Sequence, residues 1–266
     1  MSEIITVAGA IAAYLGKDGV QKILGPTADY LGEELKAFTQ RRVENIGKIF
    51  ANAEKKLGPR LDSPGQVPPK VLKSVINEGS YSEDPVTLEY FGGVLASSRT
   101  EIGRDDRGAR LIKILDNLST YQLRTHYLIY STILHLFSKS GRQFALTENR
   151  AKMEVFFPIE GYATSMEFTQ AEWDNPQILD HIWHGLSSDN LIEDRWHYGN
   201  QEFLQTIVKG VPSDGIICQP SALGAELFLW AFGYGDKPLD YVLSGDLKAE
   251  IDDLPSHVPG AAGTNP

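Results

Sequence analysis

The sequence lacks the features that would mark it as secreted or membrane-spanning. It has one cysteine, Cys218, in 266 residues, so no disulfide can form within the chain, and no secretory-signal pattern opens it. The longest apolar run is IITVAGAIAAYL at 4–15, which is shorter than the about 20 residues that a bilayer span needs. We therefore expect a reducing, cytoplasmic location.

Recognisable catalytic motifs are also missing. The chain has no P-loop, no dinucleotide-binding glycine pattern, no nucleophile elbow and no kinase or deaminase signature. Cys218 follows Ile216 and Ile217 and has no neighbouring base in the sequence, which indicates a small buried residue rather than a nucleophile. We expect no enzymatic activity, no catalytic residue and no cofactor.

Histidine spacing offers one weak metal candidate. His181 and His184 in the segment DHIWH would face the same way on a helix, and His197 and Cys218 are conceivable completing ligands. The pair lacks the HExxH spacing and its glutamate, so a structural role is favoured over a zinc site. A metalloenzyme built on this pair remains one alternative.

Charge is distributed unevenly along the chain. Of the 35 acidic and 25 basic residues, residues 151–266 hold 18 and 5, whereas residues 1–150 hold 17 and 20. An acidic surface repels a phosphate backbone, and the basic residues between 36 and 60 alternate with glutamates as on a solvated helix face. The composition disfavours nucleic acid as a partner and favours a basic protein.

The N-terminal segment is separated from the next helix by a Gly-Pro pair. Small residues recur four apart in the apolar run 4–15, a spacing that permits close helix packing, so we expect a buried or self-associating helix. An interfacial or membrane-inserting segment is the alternative. Gly25 can end this helix and Pro26 can begin the next one, so the pair is interpreted as a hinge.

Helix signals fill the rest of the first half. An amphipathic pattern runs from Pro26 to Phe50 and stops before Gly58, and a second helix is predicted to begin at Pro68 or Pro69. Two further helices follow at about 105–119 and 120–137, the second so apolar that it should be central.

A helix between these segments has a clear start and an unusual middle. Asp84 is predicted as its N-cap and Pro85 as its first residue. Two consecutive glycines, Gly92 and Gly93, lie in its interior, where each costs about 1 kcal/mol relative to alanine. We therefore expect a close neighbour at this point.

The texture changes after residue 140. A β-prone run at 155–159 contains Pro158, which confines it to an edge strand or a strand end. The segment 175–186 reads as a helix, and a short β-like run at 216–218 precedes a helix at about 222–232. The order of two helices followed by an extended hairpin at 192–219 is that of a winged-helix unit. Residues 257–266 are predicted to be a disordered tail.

These observations predict a mainly α protein with a multi-helix N-terminal half and a winged-helix-like α+β C-terminal half. The predicted divisions are an apolar N-terminal helix at 1–24, a helical domain at 25–140, a winged-helix-like region at 141–235, and an acidic then disordered tail at 236–266.

Three sequence blocks occur together in a familiar order: GPTADYLGEELKAF, RRVENIGKIFANAEKKL and VPPKVLKSVINEGSYSEDPVTLEYFGGVLASS. Their order, with LDNLS and SALGAELFLWAFG further on, resembles the Abi-alpha family of bacterial proteins associated with abortive infection against bacteriophage. The likeness covers about residues 20–235, its motifs are helical packing signatures, and the long acidic C-terminal portion departs from it. The matched positions, whose residue types look structural, are Gly25, Pro26, Leu31, Gly32, Glu33, Glu34, Pro69, Glu83, Leu88 and Leu95.

The resemblance implies anti-phage defence and supplies no catalytic residues. Our expectation is a cytoplasmic effector or sensor that acts by binding a protein, such as a basic phage component, and that can form homo-oligomers. One alternative is an effector that perturbs the inner membrane through its N-terminal helix. A second is a winged-helix DNA-binding regulator, which the absence of Lys and Arg from residues 176–194 disfavours.

Overall fold

The computed structural model describes residues 33–102 and 104–264, with side chains from residue 40 onward. The N-terminal helix at 1–24 and the Gly25–Pro26 hinge lie outside the described residues. Helices dominate the described part, together with one four-stranded antiparallel sheet, which confirms a mainly α protein with some β structure. Among the described helices, none has both the length and the apolar character to cross a membrane.

The contacts divide the chain into two compact units, which are described separately. The first extends to Asn117 and includes residues 230–235; the second comprises residues 118–229 and 236–266. Helix 120–137, which the sequence analysis grouped with the N-terminal half, therefore packs within the second unit. The first unit contains a 3-10 turn at Gly58–Asp62 and four helices: α1 (Glu33–Leu57), α2 (Pro69–Gly79), α3 (Pro85–Ser97) and α4 (Gly108–Asn117).

Helix α3 forms the centre of the first unit. Of its residues from Val86 to Ser97, Glu89 is the one that is not fully buried, and its carboxylate accepts a hydrogen bond from the Lys56 ammonium on α1. Gly92 lies against α1: a Cβ there would come within 2.6 Å of the Asn52 Cβ. The expected close neighbour is therefore present, since only glycine leaves room for this approach.

Asp84 caps α3 as the sequence predicts. Its Oδ2 accepts hydrogen bonds of 2.8 Å from both the backbone N–H and the hydroxyl of Thr87, and Pro85 is the first helical residue. The carboxylate thus satisfies a backbone donor that the first turn would leave unpaired.

Replacing Asp84 with alanine should lower the free energy of unfolding of the first unit by about 1 kcal/mol, because the capped N–H loses its acceptor. Replacing it with asparagine should restore most of that loss, since asparagine retains a side-chain acceptor. Chemical denaturation of the three proteins measures the difference, and an alanine variant as stable as the parent protein would contradict the role of this cap.

The second unit surrounds a long buried helix and a small sheet. Helix α5 begins with a capping box in which the Ser119 hydroxyl and the Gln122 side chain bond each other's backbone N–H. Most residues of α5 are buried, as its apolar sequence predicts. The helices of this unit are α5 (Thr120–Phe137), α6 (Thr147–Ala151), α7 (Ile159–Met166), α8 (Gln170–Trp173), α9 (Pro176–Ser188), α10 (Gln201–Ile207) and α11 (Ala222–Ala231), whose last two residues belong to the first unit.

The sheet has the strand order β2-β3-β1-β4, with β1 at Val155–Pro158, β2 at His197–Gly199, β3 at Gly215–Cys218 and β4 at Ala262–Gly263. All three pairings are antiparallel, and the register sets Phe156 opposite Ile217 and Tyr198 opposite Ile216. Strand β1 has neighbours on both sides, so it is not an edge strand. Pro158 instead lies at the strand end, beyond the residues that pair with β4, where its missing N–H breaks no pairing.

The helix predicted at 175–186 and the antiparallel pair after it are both present. Helix α9 precedes the antiparallel pair β2–β3, and a bridge between Ile192 and Pro220 closes the base of the hairpin. The prediction of a continuous extended hairpin is wrong in its middle, where α10 connects the two strands. Asn200 starts this helix by accepting a hydrogen bond of 2.9 Å from the Phe203 N–H.

The prediction of a disordered tail is wrong for residues 257–264. Val258 is fully buried and its N–H donates to the Thr132 hydroxyl at 3.0 Å, while Thr264 donates to the buried Glu154 carboxylate at 2.7 Å. The composition HVPGAAGTNP is typical of disorder, yet residues 262–263 pair with the side of β1 that faces away from β3. These residues are ordered by the backbone hydrogen bonds of that strand edge rather than by their own propensity.

Candidate functional site

The histidine pair proposed for a metal is occupied with other contacts. His181 Nε2 lies 3.0 Å from the Ser119 hydroxyl, and the His184 ring packs edge-on against Trp196 with centroids 4.9 Å apart. Within the described residues no group of three or more His, Cys, Asp or Glu side chains could hold a metal ion. His197 and Cys218 therefore do not complete a site around the pair.

Cys218 lies on β3 and is fully buried, as predicted. Burial raises the pKa of its thiol far above the usual range, and the nearby Glu154 carboxylate raises it further. Since the thiolate is the reactive species, this cysteine acts as a small apolar side chain of the sheet.

A groove with a volume of about 380 Å³ lies on the second unit, lined by α7, α8 and the link between them. On α7, the lining residues Glu160, Ala163 and Thr164 lie three and four positions apart, so they form one stripe along the helix, and Glu167 follows its last residue. We call the whole groove the acidic-aromatic groove. Its lining residues are Glu160, Ala163, Thr164, Glu167, Phe168, Gln170 and Trp173.

Helix α8, which supplies one wall, is fixed by a capping box. The Thr169 hydroxyl accepts a hydrogen bond from the Glu172 N–H, and Glu172 Oε2 accepts one of 2.8 Å from the Thr169 N–H. The Tyr121 hydroxyl of α5 donates to the same carboxylate. Hydrogen bonds from Tyr121 and then from Thr169 lower the pKa of Glu172 to about 2, so this carboxylate stays ionised.

Aromatic rings form the wall beside the stripe. Phe168 packs on the buried Tyr162 with centroids 6.1 Å apart and on Trp173 with centroids 6.3 Å apart. Trp173 keeps 37% of its surface exposed, which is high for a large apolar side chain. Phe168 is thus held from behind, while the indole of Trp173 presents its surface to solvent.

The two glutamates that line the groove, Glu160 and Glu167, differ in their surroundings. Glu167 ends α7 in the left-handed region, with φ of 55°, and its carboxylate pairs with Arg124 of α5 at 3.0 Å. Glu160 is exposed and has no hydrogen-bond or ion-pair partner in the part of the chain that the structure describes. The groove is therefore lined by two glutamates, of which Glu160 is uncompensated.

Carboxylates beside aromatic faces suit one class of ligand. A lysine or arginine head group is attracted by the π face of tryptophan and forms charge-assisted hydrogen bonds with a carboxylate. Ala163 and Thr164, which also line the groove, are small and leave room for the aliphatic stem of such a side chain. The arrangement is one for binding a cationic, partly apolar segment.

Comparison with known proteins returns no relative. No family model, no curated protein and no solved structure matches the chain.

None of these groove residues was among the predicted site residues. The spacing of residues 160, 163 and 164 was a usable signal, because residues three and four apart lie on one face of a helix. That helix follows Pro158 directly, and the β-prone run before it drew the interpretation toward extended structure.

Proposed function

We propose that this chain is a bacterial anti-phage protein of the abortive-infection type, similar to the Abi-alpha family. It acts in the cytoplasm without enzymatic chemistry, by binding a basic protein partner at the acidic-aromatic groove. The observation that carries the proposal is that the free Glu160 carboxylate and the exposed Trp173 line the same groove. The order of the three sequence blocks supplies the biological setting.

Charge supports a basic partner. The region from residue 151 onward holds 18 acidic and 5 basic residues, and the groove lies within it. Complementary charge speeds association and suppresses acidic competitors more than it adds affinity. The association rate with the partner should therefore fall as salt is raised, and a rate independent of salt would count against the proposal.

The DNA-binding alternative receives little support from α9, the helix that would enter the major groove in a winged-helix unit. Residues 176–194 contain no Lys or Arg, and Asp180 of α9 accepts a hydrogen bond of 2.7 Å from the Tyr198 hydroxyl. Phosphate contacts need cations, so this surface suits nucleic acid poorly. Gel-shift assays at low salt with random duplex DNA test the alternative directly.

The membrane alternative rests on residues 4–15 and has a separate test. Liposome leakage is measured with the full chain and with a chain lacking residues 1–24. Leakage that requires these residues would favour membrane perturbation over partner binding.

Cells that express the full chain should plate a susceptible phage less efficiently than cells that carry an empty vector. The full chain should also capture a phage-encoded protein with a basic segment from infected cells. Because binding of a partner involves no catalytic turnover, protection should depend on the amount of chain relative to partner. Unchanged plating across a broad phage panel would overturn the proposed setting.

A further inference from the structure

We propose that the ordered C-terminal segment, residues 257–264, is a strap that acid releases from the second unit through a pair of stacked histidines. We call this segment the C-terminal strap. The stack joins the first residue of the strap to helix α5, and its two rings become mutually repelling cations when both are protonated. Release of the strap goes beyond the proposed function and does not depend on it, because it concerns the strap alone and no partner.

The strap begins on α5 with the histidine pair. The rings of His135 on α5 and His257 on the strap are parallel, with centroids 3.8 Å apart. His135 is exposed and His257 is half-buried, so both rings can exchange protons with solvent. The Ser256 hydroxyl lies 3.2 Å from His257 Nδ1. Two imidazolium rings face to face at this distance would repel each other, since a like charge this close disfavours ionisation.

The middle of the strap fits closely against α5 and α7. Val258 is fully buried, and its N–H donates to the Thr132 hydroxyl at 3.0 Å. A Cβ at Gly161 of α7 would lie 2.2 Å from the Pro259 carbonyl oxygen, so only glycine lets the strap approach α7 this closely. Repulsion at His257 therefore acts on the residue directly before the buried anchor.

The far end of the strap is held by β1. The Thr264 hydroxyl donates to Glu154 Oε2 at 2.7 Å, and the Thr264 N–H donates to the Glu154 carbonyl oxygen at 3.0 Å. Arg195 lies 3.9 Å from Oε1 of the same carboxylate. Between pH 7.5 and 5.5, ordinary carboxylates and guanidinium groups do not change charge, whereas histidines do. In this range acid therefore acts on the histidine end of the strap.

The sign of the pH effect follows from the difference between the docked and the released strap. Burial lowers the pKa of His257 in the docked strap, and the charge of His135 lowers it further. In the released strap the ring returns to its ordinary pKa of 6.5 and takes up a proton more readily. Docking is therefore most favourable above pH 6.5, and it weakens below that pH by at most about tenfold per pH unit for one proton.

Hydrogen exchange of the full chain, followed by mass spectrometry, tests the proposal. Protection factors divide out the pH dependence of the intrinsic exchange rate, and they are compared at pH 7.5 and 5.5 for peptides from the strap and from α5. We expect the protection of the strap to fall by about three- to tenfold between these two pH values. Unchanged protection of the strap over this range would overturn the inference.

Matched variants separate the histidine pair from other titrating groups. The His135→Gln/His257→Gln double variant has no ring that can become charged, so at pH 5.5 its strap should be better protected than that of the parent chain. His184→Gln removes an exposed histidine on α9 and should keep the parent's pH dependence. A strap no better protected at pH 5.5 in the double variant than in the parent would overturn the proposal.

Two further variants distinguish release of the strap from unfolding of the whole unit. His126→Gln changes a buried histidine of α5 outside the stack, so the strap should keep its pH dependence. Gly161→Ala should release the strap at both pH values, because its Cβ meets the Pro259 backbone, while α5 stays protected. A strap fully protected in Gly161→Ala, or one that loses its pH dependence in His126→Gln, would contradict a strap released by the stacked pair.

Discussion

Replacing Gly93 with valine is expected to unfold the first unit or to lower its free energy of unfolding by several kcal/mol. A Cβ at this position would lie 1.6 Å from the Ala231 carbonyl oxygen and 2.1 Å from the carbonyl carbon. Backbone atoms cannot rotate away as a side chain can, so α3 or the segment around Ala231 must shift. Overpacking of a well-packed core costs about 1–3 kcal/mol, and a clash with backbone exceeds that.

The loss should be visible in chemical denaturation as a lower midpoint or as the absence of a folded baseline. Gly245→Ala is the matched control, since nothing lies within 4 Å of its hypothetical Cβ and its φ is not positive. That substitution should leave stability unchanged or raise it by about 0.5 kcal/mol. A Gly93→Val protein as stable as the parent would contradict the contact between α3 and Ala231.

Acid is expected to destabilise the second unit from pH 6.5 downward through His126. This α5 residue is fully buried, its Nε2 lies 3.0 Å from the Gly224 carbonyl oxygen, and its ring packs on Tyr130. Burial lowers the pKa of His126 to about 3, although the hydrogen bond to Gly224 acts in the opposite direction. Because this pKa is below the ordinary value of 6.5, His126 is protonated in the unfolded chain but stays neutral in the folded chain between these two values.

The sign of the effect follows from that difference. Above pH 6.5 the ring is neutral in both states and does not change the free energy of unfolding. Below pH 6.5, protonation stabilises the unfolded state, so the free energy of unfolding falls by about 1.4 kcal/mol per pH unit until the pH approaches about 3. Between pH 6.5 and 5 the loss is about 2 kcal/mol. Glu172 does not contribute in this range. Its pKa is lowered, so the stability that its ionised form supplies is lost only below its ordinary pKa of 4.5.

Urea denaturation at pH 7, 6 and 5 measures this slope, and His126→Gln isolates its source. Glutamine retains an N–H donor for Gly224 but does not titrate, so the variant should lose stability less steeply with acid. His257, stacked on His135 at 3.8 Å, also has a lowered pKa, chiefly from burial, and keeps part of the slope in the variant. Parallel slopes in the two proteins would contradict a buried, neutral His126.

Local signals in the sequence predicted several elements because the responsible groups are neighbours in the chain. The cap at Asp84, the helix start at Pro69 and the strand before Pro220 each depend on residues within a few positions. The glycines at 92 and 93 indicated a close approach without naming the partner. The partners are Asn52 for Gly92 and Ala231 for Gly93; both are distant in sequence, and no local pattern identifies them.

Tertiary pairing decided the elements that the sequence did not predict. Residues 262–263 form a strand because β1 has an open side, and α10 forms within the hairpin because Asn200 and Asp214 bond the N–H groups of its first turn. The groove combines a stripe on α7 with a tryptophan on the very short α8, which gains its position from Tyr121. Of these features, the sequence shows only the helical spacing of the α7 residues.

The most direct test of the account is the plating efficiency of a susceptible phage on cells that express the full chain, the Glu160→Gln/Trp173→Ala double variant or the Glu202→Gln/Phe203→Ala control at equal protein levels. We expect the control to protect as well as the parent chain, and the groove variant to remain folded without protecting. Full protection by the groove variant would contradict the claim that this groove binds the partner on which defence depends.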